Sequence, residues 1–423
     1  MTVTAPADID TAFSDFMPTF GLNMRQFDMM MKIYKILSQK YDVVCTNPPY
    51  MGGSGMNERL SAFVKEKFPD GKSDLFSAFV IRCTQLCKAE GYLGFLTPYV
   101  WMFIQSYEKM RNYIYSTRTI ETLIQFEYSA FEEATVPICT FALKNSKVNK
   151  KGVYLRLTDF RGGMEVQRQK TLEAIADHKC GYYFETNSTN FSKIPGSPVA
   201  YWVSENIYHC FENGTILKEI AEPKQGMVTR DNGRFMRLWW EVKYNKVALD
   251  VCSHSESKNS DKKWYPCTSG GAYRKWYGNI SSVVNFEHDG EEIIAFSGSH
   301  IKNREYYFRE SITWSAISSS KLSMRYAKTG SLPEHAGNCL YGTQEQLLLL
   351  QAFSNSKVGL FFLGILSPTL NYNVGDIASL PVVLPSENEI KIIKALTKNL
   401  IKTSSEEWDS FDLSLDFERH PLI

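Results

Sequence analysis

Tyr41-Asp-Val-Val-Cys-Thr-Asn-Pro-Pro-Tyr50 is the stretch on which the fold turns. Its first six residues form a short β-branched run that predicts a buried strand. Pro48 and Pro49 cannot extend a hydrogen-bonded ladder, so the chain must leave the sheet there. The glycine-rich Met51–Gly55 that follows predicts a mobile loop. Upstream, Arg25–Lys40 has Met30, Ile33 and Leu37 on one face of an expected helix. Downstream, Asp74–Lys88 carries Leu75, Phe76, Phe79, Val80, Cys83, Leu86 and Cys87 at three-and-four spacing, a second amphipathic helix expected to close on Gly91. Strands are expected at 92–97 and 119–126, with a helix over 106–116 between them. This alternation predicts an open α/β sheet. Val136–Leu143 and Gly152–Thr158 flank the basic turn Lys144–Lys151 and are expected to pair antiparallel at the end of that sheet.

After about residue 160 the alternation stops, and Trp, Tyr, Gly, Ser and Lys/Arg become dense. A domain boundary is expected within 160–200, near Ser192–Pro198. Helical periodicity returns at Thr343–Gly364 and Glu387–Lys402. The 423 residues, 43% hydrophobic and 22% charged, describe a folded chain and exclude a disordered one. No apolar run approaches the ~20 residues of a membrane span, and no signal peptide opens the chain, so no membrane partner is expected. Nine cysteines without a CxxC pair suit structural thiols and a reducing cytoplasm. Cys252 and His254 lack a second ligand pair, so no metal site is expected. Net charge is +1, but residues 221–330 hold 17 Lys and Arg against 12 Asp and Glu, a local balance of +5.

The chemistry of Asn47-Pro-Pro-Tyr50 explains its residue types. An exocyclic amine on a purine is a poor nucleophile because its lone pair is delocalised into the ring. The Asn47 side-chain oxygen and the Pro48 carbonyl can each accept one N–H, which favours a tetrahedral nitrogen and frees that lone pair. Pro48 and Pro49 hold the carbonyl rigidly, and Tyr50 offers a face on which an extruded base stacks. The bland alternative is a plain Pro-Pro turn ending a strand.

Asn47–Tyr50 resembles motif IV of the adenine-N6 amino-methyltransferases. Ser73-Asp-Leu-Phe-Ser-Ala-Phe79 resembles motif V, Gly91–Pro98 motif VI and Ala130–Val136 motif VIII of the same class. The resemblance implies that Asp74 lines the pocket for S-adenosyl-L-methionine and that Phe131 packs on the flipped adenine opposite Tyr50. More narrowly, Tyr41–Ser54, Phe191–Trp202, Lys275–Gly278 and Trp408–Pro421 resemble the adenine-specific methyltransferase family (PglX) of BREX phage-exclusion systems, from about residue 40 to the C-terminus. The family's Gly-rich motif I and its ribose-binding acid are not found in residues 1–40. The chain also stops just after Arg419–Ile423, where family members continue. The resemblance therefore implies a central fragment: a remnant at 1–40, the C-terminal half of a Rossmann-like methyltransferase sheet at 41–165, a target-recognition domain at 190–400 and a tail at 401–423.

The recognition half resembles, more loosely, that of Type I specificity subunits, through Gln225–Phe235 and Asp376–Pro385. The expected fold class is thus α/β, a partial methyltransferase sheet followed by an α+β recognition domain. Arg230, Arg234 and Arg237 beside Asn232 offer guanidinium forks and an amide for bases and phosphate. Lys262, Lys263, Arg274 and Lys275 interleave with Trp264, Tyr265, Tyr273, Trp276 and Tyr277, a mixture that suits a nucleic-acid surface and equally a solvated rim over half-buried aromatics. Double-stranded DNA is the expected partner, with other BREX proteins or a missing N-terminal methyltransferase fragment implied by analogy. Two other readings share the motif: a protein-glutamine or RNA-amine methyltransferase, which the long aromatic region after Ser192 disfavours, and a DNA-binding subunit without catalysis.

Overall fold

The computed structural model describes residues 24–128, 136–318, 320–367 and 370–420. The chain divides into two compact units, Met1–Thr189 and Asn190–Ile423.

In the first unit, helix α1 (Met24–Ser38) leads into β1 (Tyr41–Thr46), and α2 (Glu58–Lys67) precedes α3 (Leu75–Leu86). Asp74 caps α3: its side chain accepts from Phe76 N–H at 3.1 Å, and Ser77 Oγ accepts from Asp74 N–H at 3.3 Å. That reciprocal box satisfies donors which a helix start leaves unpaired. The predicted period is realised, burying Phe76, Val80 and Cys83. Strand β2 (Cys87–Pro98) follows α3 with no intervening turn. Gly91 is therefore not a helix cap. It lies inside β2, where an added Cβ would stand 2.5 Å from the Asp42 carbonyl, so glycine lets the two strands approach.

Helix α4 (Glu108–Thr117), β3 (Thr119–Gln125), β4 (Ile138–Lys144), β5 (Gly152–Arg156), α5 (Gly163–Ala176) and β6 (Tyr183–Thr186) complete the unit. The sheet order is β1-β2-β4-β3-β5-β6. β1 and β2 run parallel, as do β3 and β5, while β4 lies antiparallel between β2 and β3. The expected pairing of 136–143 with 152–158 is not formed. Both edges of β4 are taken, by β2 and by β3, so β5 pairs with β3 instead. Just past β4 the Asn145 amide nitrogen donates to the carbonyls of Thr84, Cys87 and Lys88 at 3.0–3.1 Å. The end of β4 is thereby tied to the α3–β2 corner, and the chain must pass β3 before it can extend again.

A second expectation also changes. β1 was read as buried, yet it is an edge strand with Val43 59% exposed, since it pairs only with β2 among the described residues. β-Branched residues favour a strand whether one or both edges are covered.

The second unit starts with α6 (Glu205–Asn213) and β7 (Thr215–Ile216). One four-stranded sheet joins β9 (Met236–Leu238), β10 (Trp264–Thr268), β11 (Ser282–Asn285) and β14 (Leu332–Pro333). Another joins β8 (Glu222–Lys224), β12 (Ser311–Ser315), β13 (Met324–Ala327) and β15 (Gly337–Tyr341), and β16 (Pro381–Val382) pairs with β7. Helices α7 (Gln344–Asn355), α8 (Lys357–Leu366) and α9 (Glu387–Trp408) close the unit. Among the described residues no single helix is long and apolar enough to cross a membrane; α7 and α8 reach that length only together and bend by 75° between them.

Met227, Phe235, Tyr265, Phe286, Phe308 and Leu332 form one core. Val247, Tyr277, Val283 and Leu415 form another, with Ile401 and Trp408 packed on it. The stretch from 401 is thus no detached tail. Lys328 Nζ donates to Asp416 at 2.6 Å, and burial of Leu415 anchors the chain beyond α9.

Candidate active site

Chain direction places Asn47 and Tyr99 just past the C-terminal ends of the parallel neighbours β1 and β2. That is where open α/β sheets gather ligand-binding loops. Asn47 and Pro49 are exposed and Pro48 is buried. The Tyr50 hydroxyl lies 2.9 Å from Asn47 Oδ1 and 3.2 Å from the Leu96 carbonyl, sharing its proton between them. Asn47 therefore presents its amide oxygen, not its nitrogen, toward the tyrosine. Burial pushes the Tyr50 hydroxyl above its ordinary range, so it stays a donor at neutral pH. The Tyr50 ring meets Phe76 edge-on at 6.3 Å, and Phe76 stacks on Tyr107 at 5.5 Å.

Asp74 ties the motif to α3. Its Oδ1 accepts from Met51 N–H at 3.0 Å as well as from Phe76 N–H. Leu75 N–H to the Met51 carbonyl and Gly53 N–H to the Ser73 carbonyl add two backbone rungs. The loop predicted to be mobile is therefore pinned at its base. Ser73 Oγ donates to the Ser106 carbonyl at 2.7 Å, joining this loop to the one after β2.

Sequence reading missed Arg111, which is fully buried and donates to the carbonyls of Trp101 and Ile104 at 2.6 and 2.8 Å. Burial lowers its pKa below the usual guanidinium value. Arg111 holds the 99–107 turn in place, and that turn delivers Tyr107, whose hydroxyl burial and then Asp74 push up to about 12. An arginine on a predicted helix gave no signal of this. Phe131 lies outside the described residues.

Residues 8–131 match the Eco57I restriction-modification methylase family. The chain is 36% identical over 93% of its length to the adenine-specific methyltransferase PglX of Lacticaseibacillus casei (strain Zhang), covering 33% of that protein. It is 33% identical over 92% of its length to the adenine-specific methyltransferase BrxX of Escherichia coli O9:H4 (strain HS), covering 31%. The chain is similar to PglX-type methyltransferases over almost all of its own length. It spans about a third of the length of these relatives. The Type IIL restriction-modification enzyme MmeI, solved with DNA, has a similar fold, with a TM-score of 0.54 at 12% identity over 89% of this chain and 50% of that one.

Methyltransferases of the PglX type imply S-adenosyl-L-methionine as methyl donor. The described residues do not make a complete site for it. Asp74 has spent one carboxylate oxygen on two backbone N–H groups, no strand lies beyond β1, and no Gly-rich strand-to-helix turn is present among them.

The second unit disperses most of the expected DNA-binding residues into internal bonds. Arg234 pairs with Glu292 at 2.7 Å and lies over Phe235 and Phe296. Arg237 donates to the Gly233 and Met236 carbonyls, and Asn232 accepts from Thr229 Oγ1. Lys262 donates to the Asn245 carbonyl, Lys263 pairs with Glu287, and Lys275 donates to the Asn355 carbonyl. Arg274 pairs with Glu407 and lies over Trp408. Arg230 alone of the eight is exposed with no hydrogen bond or ion pair among the described residues, held at a left-handed φ of 64°. Cys252 and His254 do not converge on a metal: His254 bonds Asp289 and the Arg304 carbonyl, and no cluster of three metal-ligating side chains exists among the described residues.

Proposed function

We propose that this chain carries the base-handling half and the target-reading unit of a DNA adenine-N6 methyltransferase acting in phage defence. One observation carries the reading: in an Asn-Pro-Pro-Tyr turn past the end of β1, the Asn47 amide oxygen accepts from Tyr50, whose ring meets Phe76 edge-on. When an extruded adenine enters, its N6 hydrogens take the acceptors at Asn47 Oδ1 and the Pro48 carbonyl. Tyr50 releases Asn47 and stacks on the base. Pro49 keeps the turn rigid, and Phe131 packs on the opposite face. S-adenosyl-L-methionine supplies the methyl group when bound, with Asp74 at the edge of its pocket and the rest contributed by sequence outside the described residues or by a second chain. Double-stranded DNA is the substrate, the reading unit contacts it through Arg230 first, and the cytoplasm is the expected compartment. MmeI, whose fold is similar, was solved on DNA, which supports this choice.

Asp74, whose Oδ1 is already held by two backbone N–H groups, leaves a second reading, a DNA-binding subunit without catalysis. Titrating the chain with S-adenosyl-L-methionine separates the two, since micromolar binding supports the enzyme and none supports the subunit. For the enzyme, labelled methyl transfer to duplex DNA is measured with any partner that restores it. Asn47→Ala should lower the rate about 10²–10³-fold, the usual cost of one lost electrostatic contact to the reacting group, with duplex affinity within about twofold. An unchanged rate overturns the role of Asn47.

A further inference from the structure

The second unit holds a cavity of about 620 Å³ that no part of the reading above uses. That volume falls within the ~300–1,000 Å³ of small-ligand sites. Its polar wall is built from amides and one imidazole: Gln225, Asn303, His335, Asn338, Asn371 and Asn373. Among the described residues no acidic side chain lines it, and the one cation in its lining, Lys224, is paired with Glu222 at 2.8 Å. Two distant sequence stretches meet there. Gln225 opens the Gln225–Phe235 stretch, and Asn373, Val374 and Gly375 directly precede Asp376–Pro385.

The walls are fixed by backbone bonds. Met227 N–H donates to the Pro333 carbonyl and His335 N–H to the Met227 carbonyl, both at 2.8 Å, and Tyr372 N–H donates to the Ala316 carbonyl at 2.8 Å. Asn303 Nδ2 reaches the Gln225 carbonyl at 3.0 Å, and Gln225 Nε2 meets His335 Nδ1 at 2.6 Å. Asn338, 3% exposed, accepts from Gly226 N–H at 3.4 Å through its amide oxygen, which fixes its side chain in the wall.

We infer that this cavity takes a single nucleotide of a DNA strand. The amides suit the mixed donor and acceptor edge of a heterocycle. Ile317, 71% exposed at the rim, offers apolar surface for the ring. The absence of acidic lining among the described residues tolerates the phosphate. The inference rests on the DNA-acting reading and extends it, since the nucleotide held here is distinct from the one handled by Asn47–Tyr50.

The test is fluorescence anisotropy of a mixed-sequence duplex at low salt, with the full chain, an Ala336→Phe variant that fills the cavity and a Gln225→Leu/His335→Ala variant that strips its rim. Melting curves confirm folding, and each of the four deoxynucleoside monophosphates is titrated separately. Duplex affinity should fall about tenfold or more in both variants, the loss of roughly one bidentate base contact. Duplex binding that is equal in all three proteins overturns the pocket and leaves the DNA reading standing. If the unsubstituted chain binds no duplex, millimolar binding of a monophosphate that Ala336→Phe abolishes keeps the pocket and removes the DNA reading. No binding of either probe overturns both.

Discussion

Asp74 offers the sharpest test of how the site is held. Replacing it with alanine removes the cap on α3 and the tether to Met51 N–H together. Losing an N-cap costs about 1 kcal/mol, and losing a partly exposed hydrogen bond to a carboxylate costs about as much again. The sum, about 2 kcal/mol, should lower the melting temperature of the first unit by roughly 4–8 °C, at ~2–4 °C per kcal/mol for a unit this size. Asp74→Asn keeps an acceptor oxygen in both bonds and should lose less than half of that. Calorimetry reads the transition, and hydrogen exchange at the Met51 and Phe76 amides locates the damage. The pair also separates two roles. If Asp74→Asn melts like the parent yet binds S-adenosyl-L-methionine worse, the charge serves the cofactor; if both properties survive, the residue serves the loop. An Asp74→Ala protein melting within about 1 °C of the parent, or an Asp74→Asn protein falling as far as the alanine variant, refutes the tethering argument.

Two further outcomes follow from the second unit. Arg230→Ala should weaken duplex binding and reduce the slope of log K against log salt by about one, as expected for one lost phosphate contact. Arg234→Ala should leave that slope alone and cost about 0.5–1 kcal/mol of stability, because it breaks a half-exposed pair with Glu292 and a stack on two phenylalanines. Equal salt slopes for Arg230→Ala and the parent would remove Arg230 from the interface. Glu334 is buried, and that burial pushes its carboxyl above the usual range despite the Ala336 N–H it accepts at 2.7 Å. Since its folded pKa exceeds the unfolded one, the stability tied to the protonated acid is full below the unfolded value and is lost as pH rises through the folded one. Glu334→Gln should therefore raise the melting temperature of the second unit near about pH 8, with the gain shrinking toward about pH 4. A gain independent of pH, or a loss, contradicts this.

How far the sequence could be read depended on how far apart the deciding contacts lie along the chain. Asn47–Tyr50 was legible because two prolines end a strand whatever surrounds them, and α3 was legible because its period and its Asp74 cap are local. The pairing of β4 was not, since it takes β2, 40 or more residues earlier, on one edge and β3 on the other. Asn145 just past it reaches carbonyls 57–61 residues away. Gly91 read as a cap because its use, the approach of Asp42 on another strand, is invisible locally. The basic residues of the second unit gave the same difficulty. Arg274 looked like a phosphate contact, but Glu407 and Trp408 hold it. Composition counts charges and cannot tell which are already spent inside the fold.

Among the described residues the outer edge of β1 has no partner strand, which has a practical consequence for anyone handling the chain. That edge runs beside a 59% exposed Val43, and α1, which precedes it, displays Met29, Ile36 and Leu37, each more than half exposed. A strand edge flanked by greasy surface is a template for other copies to add onto. Concentrated stocks should cloud from that side of the sheet first. A lysine at position 43, pointing where valine now does, is the single change that would keep the edge in solution without touching the turn that follows.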